Sequence, residues 1–305
     1  MVKVQARSRK KNRIANSKSD TAFLFLMLMV LILITLCVLY PLIYVVSASF
    51  SDPQAVVSGK VILLPVGLSV DGYKAVFEDR NILSSFFNSV FYTVLGTVIS
   101  VCITMTAAYP LAQKDLPFKG TIMGLFTFTM IFSGGMIPSY LVVSKLRMTN
   151  TIWAIVIPGC LAVYNMIIAR TFIQGLPATL KEASEIDGCS DIRYFFFIVI
   201  PLSPAILAVL TIYYAVGYWS DYFRAFLYLT NRDLYPLQII LREILLKNQI
   251  AENSIQDSES AMRVGGMAEL LKYSLIVVTS LPMLILYPFI QKYFIKGVMI
   301  GSIKE

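Results

Sequence analysis

Six long apolar runs punctuate the chain, at 22–48, 86–112, 120–143, 151–169, 203–228 and 273–291, with short charged or proline-containing connections between them. An α-helix rises about 1.5 Å per residue, so about 20 residues cross the roughly 30 Å hydrocarbon core of a bilayer. The pattern predicts an all-α, polytopic membrane protein of about six transmembrane helices, forming a single domain over 21–305. The first run carries no charge and is too long for a signal-peptide core, so it is expected to stay as a span.

The connections carry weaker signals. The stretch 49–85 mixes charges with turn residues at Ser51-Asp52-Pro53 and Asp71-Gly72, which predicts short helices on one membrane face. Past the fifth run, Leu237, Ile240, Leu241, Ile244 and Leu245 recur at helical spacing after Pro236, an amphipathic helix suited to the membrane interface. A polar, acidic stretch at 248–260 follows, and Arg263-Val264-Gly265-Gly266 reads as a turn before the last run. The loop as a whole covers 230–270.

Composition agrees with the pattern. Hydrophobic residues make up 57% and charged residues 14%, with a mean hydropathy of +0.72, well outside the range of a soluble domain. Much of the net charge of +8 is concentrated at one end: seven Lys or Arg residues lie in the first twenty positions. Placed directly before an apolar run, they form a membrane-orientation signal and not a nucleic-acid footprint. The basic tail 1–20 is expected in the cytoplasm, disordered and within reach of anionic lipid. Alternating six spans from there puts 113–119, 170–202 and 292–305 on the cytoplasmic side, with both termini inside. Lys145 and Arg147 fall on the opposite side and bend the positive-inside rule slightly.

Reactive groups are scarce. With no histidine, the chain lacks the commonest general base and metal ligand. Cys37, Cys102, Cys160 and Cys189 are scattered without metal-ligand spacing. Neither an enzyme nor a metal site is expected. The span centres carry no ionisable residue of the kind that marks ion-coupled pathways. Asp221 and Arg224, three apart late in the fifth run, can pair on one helical face. There is no GxxxxGK[ST] phosphate loop, so any ATP must be bound by another chain.

The stretch 176–202, LPATLKEASEIDGCSDIRYFFFIVIPL, reads as helix, glycine turn, helix. Pro177 suits a helix start, Thr179 with Glu182 matches a capping box, Gly188 supplies a stop, and Ser190 or Asp191 can cap a second helix. An ordinary hairpin between two spans would carry the same caps. The order Glu182-Ala183-Ser184, Asp187-Gly188, Ile200-Pro201-Leu202 is more specific and resembles the EAA loop of bacterial ABC importer permeases. In that family the loop is a coupling helix that docks on a cytoplasmic ATPase. The resemblance therefore implies ATPase coupling by Glu182, Ala183, Ser184, Asp187 and Gly188, although Ser184 stands where many members carry a second alanine.

The resemblance runs over nearly the whole chain, to the closing stretch 293–301, and is nearest to carbohydrate-uptake permeases of the maltose type. A branch handling complex saccharides is indicated by Phe132-Ser133-Gly134-Gly135-Met136-Ile137-Pro138, Tyr214-Ala215-Val216-Gly217-Tyr218-Trp219 and Leu234-Tyr235-Pro236-Leu237-Gln238. It implies a type I importer transmembrane domain in the bacterial cytoplasmic membrane, and an oligosaccharide cargo. The implied partners are a second homologous permease, two ATPase subunits that bind ATP and magnesium, and an external solute-binding protein meeting the 230–270 loop. No cofactor is implied in this chain. A permease for another nutrient class such as peptides, and a secondary carrier, are the alternative readings.

Uncharged polar groups within the runs are the candidates for a sugar path. Tyr214 and Tyr218 stand four apart and share a helix face, and Asn165 adds a further hydrogen-bonding group. Trp219, Tyr222 and Phe223 read as anchors at the membrane interface. Gly134 and Gly135, with Pro138 one turn on, mark either a gate at a broken helix or a close helix contact.

Overall fold

A computed structural model of the chain describes residues 18–254 and 259–301, and every regular element among them is helical. The basic-tail expectation lies almost entirely outside the described residues, as does part of the acidic stretch at 255–258. Helix α1 (Lys18–Ser49) is apolar on all sides past its first turn and exposed from residue 19 to 42, a surface suited to lipid or to another apolar helix. Only its end packs: Ser47, Ala48 and Ser49 are buried, and the Tyr44 ring meets Tyr273 edge to face at 5.7 Å.

Two short helices follow, as the turn signals predict. Asp52 caps α2 (Pro53–Val57), its carboxylate accepting from the Gln54 and Ala55 amides at 2.9 and 3.3 Å, with Pro53 in the first turn. Asp71-Gly72 is the first turn of α3 (Asp71–Glu78) and not a reverse turn; Gly72 lies so close to Ser274 and Leu270 that a Cβ would collide. Asp79 then caps α4 (Arg80–Ala112), which is about 50 Å long at 1.5 Å per residue.

The third apolar run folds as α5 (Lys119–Ile131) and α6 (Met136–Lys145), bent by 115°. The fourth is broken more severely, into α7 (Trp153–Val156) and α8 (Val163–Gln174). Next come α9 (Ala178–Ile186) and α10 (Asp191–Leu202), the latter with a π-helical turn at Phe195–Val199. An 82° bend joins α10 to α11 (Pro204–Ser220), and α12 (Phe223–Tyr228) completes the fifth run. Helices α13 (Leu237–Ser254) and α14 (Glu259–Gly301) end the described chain. Among the described residues three stretches are long and apolar enough to cross a membrane, Ser19–Ser49, Arg80–Ala112 and Gly266–Pro288, or five if each bent pair is one span. The sixth expected span, 151–169, is the broken α7–α8 unit.

Helix α4 is the central strut. Its buried face is mostly small or hydroxylic, Ser85, Ser89, Thr93, Gly96, Thr97, Ser100 and Thr104, which lets α8 and α11 approach closely. The largest cluster, built on Met105, Ala108, Met166, Val199 and Leu210, fills the half nearer α9. A second cluster around Val76, Ile82, Leu237, Ile240, Leu275 and Val278 fills the other end. This second cluster corrects the interfacial reading of α13, whose apolar residues Leu237 and Ile240 are core. The turn expected at Gly265-Gly266 is likewise absent: α14 runs straight through, and Gly266 lies against Pro53. Trp219 is not an interface anchor either. It is 4% exposed and its indole N–H donates to the Thr279 carbonyl at 2.9 Å.

Candidate functional site

A helix interrupted inside a membrane frees backbone amides and carbonyls that hydrocarbon cannot satisfy. The break at 157–162, foreshadowed by Pro158-Gly159, is sealed by side chains from α11 and α12. The Tyr218 hydroxyl donates to the Val156 carbonyl at 2.9 Å and lies 3.0 Å from Ser100 Oγ. One turn away, the Tyr214 hydroxyl accepts from the Ala162 amide at 3.1 Å and lies 2.6 Å from Thr104 Oγ1. Arg224 donates to the Ile155 and Pro158 carbonyls at 3.1 and 2.6 Å. The Asp221 carboxylate holds the Arg224 guanidinium in place, the pairing expected from their spacing, and that guanidinium also lies 5.0 Å from the Tyr218 ring centre.

The structure thus brings Tyr214 and Tyr218 to one break. Both are buried, with hydroxyls engaged inside the chain, and Asn165 is buried three residues past Ala162. An aromatic pair on α8 and α11 that does face outward is Tyr164 and Tyr213, 56% and 48% exposed and edge to face at 6.4 Å. The sequence reading missed Arg224 as a plug and the hydroxyl stripe on α4, although the spacing Ser85, Ser89, Thr93, Thr97, Ser100, Thr104 carries it. In that stripe the buried Thr93 and Thr97 hydroxyls have no partner among the described residues.

Gly134 and Gly135 occupy the other break. Gly135 precedes α6 at φ 86°, a conformation that strongly favours glycine, and a Cβ there would meet nothing within 4 Å. A Cβ on Gly134 would meet only Pro138, at 3.9 Å. Every residue from 127 to 142 is exposed, so within this chain the two glycines mediate no close helix contact.

The loop 176–202 folds as helix, glycine turn, helix. Helix α9 starts after Pro177, with Thr179 inside it, so the capping box does not form. Its end is a Schellman motif: Gly188 takes φ 70°, the Gly188 amide donates to the Glu185 carbonyl at 3.1 Å, and the Cys189 amide donates to the Ser184 carbonyl at 2.9 Å. Ser190 Oγ then accepts from the Arg193 amide to cap α10. Glu182, Ala183, Asp187 and Gly188 are exposed, whereas Ser184 is buried and donates to the Lys181 carbonyl at 2.7 Å. Ile186 and Ile192 project as apolar knobs, 87% and 72% exposed.

The described residues form a bundle of broken apolar helices with a bare helical loop at one end, an architecture suited to a membrane transport protein, and comparison with known proteins specifies it. No protein-family model matches the chain. It is 42% identical over 271 residues to the polygalacturonan/rhamnogalacturonan transport system permease protein YtcP of Bacillus subtilis (strain 168), covering 88% of this chain and 93% of that protein. The arabinooligosaccharides transport system permease protein AraQ of Halalkalibacterium halodurans is 27% identical, over 87% of this chain and 91% of that protein. Among solved structures, a bacterial ABC transporter involved in the import of the acidic polysaccharide alginate contains a chain that matches with a TM-score of 0.83 at 31% identity. That match covers 92% of this chain and 99% of the other. The chain belongs to the sugar ABC importer permeases. It is a membrane-embedded transport subunit, not an enzyme, of an ABC system with ATPase and binding-protein partners.

Proposed function

We propose that this permease couples to its ATPase through α9, pairs with a second homologous permease, and admits oligosaccharides delivered by an external binding protein. The observation that carries the coupling assignment is the state of α9. It presents Glu182, Ala183, Ile186 and Asp187 to open space beside a glycine-closed turn, a convex, partly apolar end suited to a groove on another protein. ATP and magnesium belong to two ATPase chains in this reading. The α9 end is assigned to the cytoplasm, with both termini. Support comes from the basic tail and from Lys114, Lys119, Arg170, Lys181 and Arg193, which cluster in the connections near α9.

The alternating-access path runs alongside the sealed α7–α8 break, with Gly134 and Gly135 at the gate. Tyr214, Tyr218 and Asn165 line it once that break opens. Acidic oligosaccharides come first in a substrate screen, a choice supported by relatives named for polygalacturonan, rhamnogalacturonan and the acidic polysaccharide alginate.

The test is purification of the complex in gentle detergent with wild type, Glu182→Ala and Gly188→Arg, scored for bound ATPase and for ATP turnover stimulated by loaded binding protein. Wild type retains the ATPase, while Gly188→Arg, forced into a left-handed conformation and carrying a bulky side chain, loses it. A wild-type preparation without ATPase, or a Gly188→Arg variant that retains both ATPase and stimulation, overturns the coupling assignment.

A further inference from the structure

The end of α4 is tied to α9 in a way that the docking surface does not require. A helix C-terminus leaves its last carbonyls without intrahelical partners and carries partial negative charge, so it attracts cationic donors. Here the last two carbonyls of α4 and that of Gln113, which follows it, are taken by side chains. Arg170 Nε on α8 donates to the Leu111 carbonyl at 2.9 Å, and Gln174 Nε2 to the Ala112 carbonyl at 3.5 Å. Lys119 Nζ on α5 donates to the Gln113 carbonyl at 2.6 Å. The remaining contact is of a different kind: Lys181 Nζ on α9 donates to the side-chain Oε1 of Gln113 at 2.5 Å. Glu185, one turn further along α9, lies 3.7 Å from the same ammonium and steadies it. A hollow of about 260 Å³ beside this contact is lined by Gln113, Asp115, Leu176, Lys181, Glu182 and Tyr194, so little else packs α9 against α4.

We infer that Gln113 is a positioning residue through which movement of α9 enters α4. The inference rests on the assignment of α9 as the ATPase-docking helix. From Gln113 the strut leads directly to Thr104 and Ser100, the partners of Tyr214 and Tyr218, and so to the sealed break. A displacement of α9 is thereby delivered to the wall of the path by one charge-assisted hydrogen bond and one rigid helix. A second tie, from the Tyr109 hydroxyl on α4 to Asp191 on α10 at 3.2 Å, holds the far side of the glycine turn. The loop is therefore gripped on both sides of Gly188, and Gln113 is the grip on the docking helix itself.

The experiment uses the full complex of permeases, ATPase and binding protein in proteoliposomes, and reads three quantities: ATPase retained on purification, ATP hydrolysed, and saccharide taken up per ATP. Gln113→Leu removes the acceptor at nearly constant volume. It is expected to retain the ATPase but lower uptake per ATP about fivefold to tenfold, the scale of a 1–1.4 kcal/mol coupling energy. Lys181→Met, which removes the donor at similar length, is expected to do the same. The double swap Gln113→Lys with Lys181→Gln rebuilds the bond with donor and acceptor exchanged, and restores uptake per ATP. The swap shows that the effect belongs to this contact, and retained ATPase with lowered uptake per ATP separates coupling from a merely structural role. Full uptake per ATP in Gln113→Leu, or no recovery in the swap, overturns the inference. Loss of the ATPase from Gln113→Leu overturns it too, because Gln113 would then support docking. Absence of ATPase from wild type instead removes the docking assignment on which the inference stands.

Discussion

Two helix breaks in this chain are finished in opposite ways. At 157–162 the Val156 and Pro158 carbonyls and the Ala162 amide are taken by Tyr218, Arg224 and Tyr214, all from one neighbouring unit, while Ile157 and Gly159 stay exposed. At 132–135 a bend of 115° turns on glycine, its bonds are local, and its surroundings are exposed. An unsatisfied peptide group costs several kcal/mol in hydrocarbon. The first break therefore draws side-chain partners from elsewhere in the chain, whereas the second has only local bonds. While its side-chain bonds hold, the first break acts as a wall, and the second is where a wall can move without breaking them.

The sharpest way to break this contrast is to unseal the first break. Arg224→Ala strands the Asp221 carboxylate, which is 14% exposed, and frees the Ile155 and Pro158 carbonyls. Removing one partner of such a pair is expected to cost about 3 kcal/mol. Thermal unfolding of the purified protein in detergent reads the loss, and an unchanged midpoint would show that the arginine does not hold the break. Gly96→Ala should come next. Its new Cβ would stand 2.6 Å from the Tyr218 ring, and the overpacking is expected to cost about 2 kcal/mol by the same measurement.

Tyr218→Phe separates wall from path. Losing the hydroxyl leaves the Val156 carbonyl without that donor, at about 1.5 kcal/mol. If the tyrosine seals the wall, stability falls while the KM for uptake stays constant. A raised KM at unchanged stability would instead make it a sugar contact.

Legibility followed the same divide. The apolar runs were readable because bilayer thickness fixes the length of a span whatever its neighbours do; α1 and α4 cover the runs at 22–48 and 86–112, while α14 begins well before the run at 273–291. The loop at 176–202 was readable because caps and glycine turns are local: Pro177, Gly188 and Ser190 act within a few residues of themselves. What the sequence hid depends on contacts between distant segments. Trp219 looks like an interface residue in its own helix, and only the arrival of α14 turns it into core, just as only the approach of α7 gives the Tyr218 hydroxyl its carbonyl partner. Leu237 and Ile240 show the amphipathic period of an interfacial helix equally well, until α3, α4 and α14 cover them. The grip of Lys181 on Gln113 joins residues 68 positions apart and has no local signature.

The open break calls for the gentlest probe. Gly135 sits at φ 86° and ψ 176°, a region essentially reserved for glycine, so Gly135→Ala should cost about 1 kcal/mol, limited by the freedom of an exposed bend to relax. Gly134→Ala adds a methyl that meets only Pro138 at 3.9 Å, and its expected effect on the unfolding midpoint of the isolated chain is close to nil. The assembled transporter provides the contrast. If a second permease closes against this bend, the same methyl at residue 134 lies in an interface, and uptake should fall although the isolated chain is as stable as wild type. If uptake and stability are both untouched, the bend is bordered by lipid or water, and the moving part of the wall must be sought elsewhere.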